Sequence, residues 1–64
     1  MRLTEFWGRM NEHFGEAYAE SFAQDHVIAG LGGLTVQEAL AEGQYAKDVW
    51  RAVCVDQDVP HTLR

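Results

Sequence analysis

Apolar side chains at the start of the chain recur at the three- and four-residue steps of a helix. Leu3, Phe6, Trp7, Met10 and Phe14 share one face, and Glu5, Arg9 and Glu12 point away from it. This spacing predicts a first helix from about Glu5 to Phe14, with Thr4 as N-cap, Glu5 near the positive end of the dipole and Gly15 just past the last turn. A second helix is predicted from Glu16 to about Ile28, where Tyr18, Phe22, His26 and Ala29 fall on one face. Val27, Ile28 and Leu31 lie off that face, so the C-terminal half must cover them. Gly30, Gly32 and Gly33 then break the helix and form a hinge between two halves.

After the glycines comes the strongest local signal in the chain. Thr35 and Glu38 stand at the spacing of a capping box, in which the threonine hydroxyl accepts from the N–H of Glu38 and the carboxylate accepts from the N–H of Thr35. A short third helix therefore runs from Val36 to Glu42 and ends at Gly43. A fourth runs from about Ala46 to Val55, with Tyr45, Val49, Trp50 and Val53 as the inward stripe, Cys54 beside it, and Lys47, Asp48 and Arg51 facing water. Pro60 blocks further helix, leaving residues 61–64 as a frayed tail behind an ordered core of 1–60. No strand-like alternation is evident. The expected fold is all-α: a single small bundle over residues 1–64, with three main helices and one short one. Its C-terminal half resembles a helix-turn-helix, with Ala39 as the small residue, Gly43 as the turn and Val49 as the inward anchor.

Length changes this picture by limiting the core. A chain of 64 residues is short enough that folding buries only about 60% of its unfolded surface. Its one cysteine, Cys54, cannot form an internal disulfide and reads as a small buried hydrophobe. Phe6, Trp7, Phe14, Tyr18, Phe22, Tyr45 and Trp50 are the expected core, since each ring can remove on the order of 150–250 Å² from water. The opening residues carry an acid and bulky rings where a secretory leader needs an unbroken apolar run, and no stretch is long and apolar enough to span a bilayer. A cytoplasmic location is expected.

The net charge is −5, and its distribution is uneven. Between Met10 and Ala46 there are six carboxylates and no lysine or arginine, whereas the segment after Ala46 mixes both signs. Five dispersed bases make a poor footprint for a phosphate backbone, so nucleic-acid binding is disfavoured. Glu12, Glu16 and Glu20, spaced four apart, are the candidate face for a protein partner. Lys47 and Arg51 are the candidate nucleic-acid contacts in the alternative reading, a helix-turn-helix-like regulator. His13, His26, His61 and Cys54 are scattered, which argues against a metal site, and His26 is expected to be half-buried with a hydrogen-bonded ring. Ser21 lies mid-helix, away from the strained turn a serine nucleophile occupies, and the glycine cluster lacks the lysine of a phosphate-binding loop. No catalytic residue and no cofactor are expected, and the residues favour a non-enzymatic interaction module.

Several motifs in order carry a wider resemblance. They are the opening Met1-Arg2-Leu3-Thr4-Glu5-Phe6-Trp7, the Asp25-His26-Val27 step, the Leu31-Gly32-Gly33 turn, Thr35-Val36 with Glu38-Ala39-Leu40, and Val49-Trp50-Arg51-Ala52-Val53-Cys54 through Val59-Pro60. Together they resemble the actinobacterial family called domain of unknown function 3046. The resemblance implies no activity, since none is assigned to the family. It implies a genomic neighbourhood near the RecA recombinase and its regulator RecX, and so, in the alternative reading, an association with DNA repair. Leu34 departs from the family pattern, which has a basic residue there, and weakens the case for a phosphate contact beside the turn.

Overall fold

Helix α1 spans Leu3–Phe14 and buries Phe6 and Met10, as the first apolar stripe predicts. The computed structural model describes residues 1–59, so the expectations for Pro60 and the tail lie outside the described residues. The helix starts earlier than expected. Its N-cap is Arg2, whose carbonyl already accepts from the N–H of Phe6 at 3.0 Å, and Thr4 sits inside the first turn. Leu3 is exposed instead of inward.

Gly15 alone separates α1 from α2 (Glu16–Asp25). Its N–H donates to the Asn11 carbonyl and its carbonyl accepts from the N–H of Ala19, both at 2.8 Å, while φ of +86° redirects the chain. A side chain here would strain that conformation, so glycine is the residue the sharp change of direction requires. The face of α2 that meets the core is not the expected one. Ala19, Phe22 and Ala23 are buried, whereas Tyr18 is 57% exposed and His26 lies beyond the helix end. Small residues on this face let α2 approach its neighbours α1 and α3 closely.

The all-α expectation needs correction after Asp25. His26 leaves the helix with extended dihedrals, and β1 (Val27–Ile28) pairs antiparallel with β2 (Leu34–Thr35), in register Val27 with Thr35 and Ile28 with Leu34. A 3₁₀ turn over Ala29–Leu31 and two glycines with positive φ, Gly32 and Gly33, connect the strands. β-Branched Val27 and Ile28 suit an extended backbone, and the reversal at the glycines supplies the pairing partner that a continued helix would lack. The alternation is that of a strand, Val27 exposed and Ile28 fully buried. Ile28 and Leu31 are covered by the C-terminal helix as expected, but Val27, expected to be covered with them, is not. Gly30 marks the closest approach there: a Cβ added to it would lie 3.3 Å from Cβ of Ala52.

The capping box forms as read. The Thr35 hydroxyl accepts from the N–H of Glu38 at 3.2 Å, and the Glu38 carboxylate accepts from the N–H of Thr35 at 3.0 Å, opening α3 (Val36–Glu42). Thr35 is also a strand residue and is buried, so its hydroxyl satisfies a donor in a place water reaches poorly. Replacing Thr35 by Ala should cost about 1–2 kcal/mol, the upper part of the range for cap removal, because the bared N–H is half-buried. A thermal melt unchanged from the parent would show that the cap contributes nothing.

Gly43 ends α3, and Gly43-Gln44-Tyr45 leads into α4 (Ala46–Gln57). Val49, Trp50, Val53 and Cys54 are buried, confirming the inward stripe, but Tyr45 is the N-cap and is 78% exposed. The helix also runs two residues past its expected end. Asp58 adopts a left-handed conformation, the N–H of Val59 donates to the Cys54 carbonyl at 2.9 Å, and Val59 is folded into the core. This is a Schellman-type stop with aspartate in the usual glycine position. The resulting core rests on fewer rings than expected. Phe6, Phe22 and Trp50 are buried and Trp7 and Phe14 pack at its edge, while Met10, Ile28, Val36, Val49, Val53 and Val59 fill the space assigned to Tyr18 and Tyr45. The fold is thus mostly helical, four helices around a minimal two-stranded sheet.

Candidate functional site

Two open grooves of opposite charge lie among the described residues. The first, about 500 Å³, is lined by Trp7 and Asn11 of α1, Glu16 and Glu20 of α2, and Gln37 of α3. Glu16 and Glu20 are one helical turn apart on α2, so they project together. Glu12 is exposed on α1 and is not among the residues lining this groove, because the break at Gly15 ends the helical register it would share with Glu16. Trp7 forms one wall. It is half-buried, and its ring stands edge-on to Phe6 with centroids 5.3 Å apart.

The second groove, about 430 Å³, lies along α1 and α4. Lys47 and Arg51, both exposed and one turn apart on α4, line it together with Arg9 of α1. Met1, Trp50 and Val55 supply apolar surface. The sequence paired Lys47 with Arg51 but treated Arg9 as an outward residue of a separate helix. No local signal links positions 9 and 51. Only the packing of α1 on α4 brings them to one groove.

A third, smaller hollow lies beside the end of α2 and is lined by Tyr18, Ser21, Phe22, Asp25 and His26. Phe14, Phe22 and His26 form a column there: Phe22 stacks on Phe14 at 4.5 Å and on His26 at 4.7 Å, with interplanar angles of 20° and 17°. The His26 side chain is about half-buried, at 44% exposure, and its ring is hydrogen-bonded as expected, Nε2 lying 2.9 Å from a carboxylate oxygen of Asp56. That Asp56 oxygen also accepts from the Gln57 side-chain amide at 2.7 Å. The contact ties the end of α2 to the end of α4. Cys54 is buried, in keeping with its reading as a small hydrophobe.

A family model described as "Protein of unknown function (DUF3046)" matches residues 1–62. The chain belongs to that family. No curated protein and no solved structure matches it. Among the described residues no group of three or more His, Cys, Asp or Glu side chains is placed to hold a metal ion, and no helix is long and apolar enough to cross a membrane.

Proposed function

We infer that this DUF3046 domain is a non-enzymatic, cytoplasmic protein-interaction module whose acidic side, Glu12, Glu16 and Glu20, meets a basic protein partner. The observation that supports this reading is the separation of charge between the grooves: Glu16 and Glu20 flank Trp7 on one side, while the bases gather along α1 and α4. A cationic side chain entering the first groove would meet two carboxylates and an aromatic wall, and both attract it. Such an encounter weakens as salt screens it. Changing Glu12, Glu16 and Glu20 to Lys should abolish capture of the partner recovered from a native extract and leave the circular dichroism spectrum unchanged. Capture that persists in the triple variant reduces the acidic side to an aid to solubility.

The second reading is a helix-turn-helix-like nucleic-acid binder with a role near recombination. Burial of Ala39 and Val49 at the small and apolar positions of the α3–α4 pair favours it, as does the arrival of Arg9 beside Lys47 and Arg51. Against it stand the net charge of −5 and Asp48 next to Lys47 on the exposed side of α4. Affinity for a phosphate backbone grows with the number of counterions displaced, and three bases displace few. Titration with duplex and single-stranded DNA at low salt should give no saturable binding. Sequence-specific binding that disappears in the Lys47→Glu/Arg51→Glu variant would promote this reading over the first.

A further inference from the structure

The α1–α4 groove exposes more apolar surface than the acidic one. Val55 projects there from α4 with 71% of its surface exposed, Met1 adds a second exposed apolar side chain, and the edge of Trp50 lies between the two helices. Lys47 and Arg51, both exposed on α4, stand beside this surface. Exposed apolar side chains are ordinary when scattered singly. Here they are gathered in a concave strip beside two exposed cations of α4, a pattern complementary to a segment that alternates apolar anchors with Asp or Glu.

We propose that this groove docks an acidic amphipathic helix of a protein partner, its apolar residues seated on Val55 and Met1 and its carboxylates directed at Lys47 and Arg51. The proposal rests on the reading of the domain as an interaction module and gives it a second, oppositely charged docking surface. Size sets the length of the occupant. The whole domain measures 26 × 23 × 21 Å, and a helix of about 8–12 residues, roughly 12–18 Å long, spans such a face. Charge sets its sign. The groove favours a peptide over a nucleic acid for two reasons: a phosphate backbone makes no use of the apolar strip, and Trp50, only 4% exposed, offers no ring face on which a base could stack. Recognition of an amphipathic helix by a groove, read through anchors at positions i, i+3 or i+4 and i+7, uses both features.

The test is a titration of isotope-labelled protein with a synthetic 12-residue peptide, about two apolar anchors per turn pair with Asp and Glu between them, followed by NMR. Parallel titrations use a scrambled peptide of identical composition, a version with Lys in place of each acid, and a 12-nucleotide single-stranded DNA. The expected result is saturable shift changes at Arg9, Lys47, Arg51, Val55 and the Trp50 indole, with affinity at least tenfold weaker for the scrambled peptide. Lys47→Glu/Arg51→Glu should weaken binding at least tenfold, and Val55→Ser several-fold, with unchanged circular dichroism in both. Equal binding of the scrambled peptide, tighter binding of the DNA, or shifts confined to the Glu16–Glu20 groove would each overturn the proposal. Its failure is distinguishable from that of the function reading: a native partner captured equally by the parent and by the Lys47→Glu/Arg51→Glu variant removes this groove and leaves the acidic side standing, whereas peptide binding without any native capture does the reverse.

Discussion

Trp50→Ala is expected to cost about 3–5 kcal/mol and to leave the domain largely unfolded near physiological temperature. Stability of about 0.05–0.15 kcal/mol per residue leaves a domain of this length only about 3–10 kcal/mol in total. Trp50 is buried in α4, and its ring meets Phe6 of α1 edge-on at 6.2 Å, so truncation opens a cavity between the two helices. The indole Nε1 is itself buried with no hydrogen-bond partner among the described residues. Leaving that donor unsatisfied opposes part of what the ring contributes. Trp50→Phe retains the aromatic contact and removes the unpartnered donor, and should cost less than half as much as the alanine variant. Thermal denaturation followed by circular dichroism separates the cases, since each 1 kcal/mol moves the midpoint by about 4–8 °C in a domain of this size. An alanine variant melting within a few degrees of the parent would remove Trp50 from the centre of the core.

Phe6→Ala should be comparably damaging, at about 3–5 kcal/mol, because the side chain is fully buried and edge-on to both Trp7 and Trp50. Two other rings provide the control. Tyr45 caps α4 from the surface, and its replacement by Ala should stay within about 0.5 kcal/mol of the parent. Tyr18 touches the rings of Phe14 and Phe22 at 5.7 and 6.3 Å, so Tyr18→Ala should cost about 1 kcal/mol. By composition these tyrosines and Phe6 are equal candidates for the core. A melt of Tyr45→Ala as low as that of Phe6→Ala would contradict the burial that separates them.

The candidate surfaces were legible to different degrees. Glu16 with Glu20, and Lys47 with Arg51, are neighbours because each pair is one turn apart on a single helix, and spacing alone reveals that. Glu12 was assigned to the acidic set by the same spacing, but Gly15 interrupts the helix between it and Glu16. Arg9 joins the basic groove by helix–helix packing, and Trp7 joins the acidic one in the same way. Neither has a sequence neighbour that announces it.

What the sequence determined by itself is what short-range physics controls. The Thr35–Glu38 box is closed by hydrogen bonds across three residues, and the burial of Val49, Trp50, Val53 and Cys54 follows from one helical period, so both are readable wherever the chain is placed. The predicted break at the glycines comes too late, because α2 ends at Asp25, ahead of Gly30. The tertiary structure decided the rest. Val27 and Ile28 could have extended α2, and became a strand because the turn at Gly32 and Gly33 returns Leu34 and Thr35 to pair with them. Ala19 and Ala23 took the inward side of α2 in place of Tyr18 because close approach to α1 and α3 favours small side chains over large ones. Val59 entered the core because Asp58 turned the chain back after α4. In each case the deciding free energy comes from groups that meet only after the elements have assembled, and periodicity along the chain carries no information about those meetings.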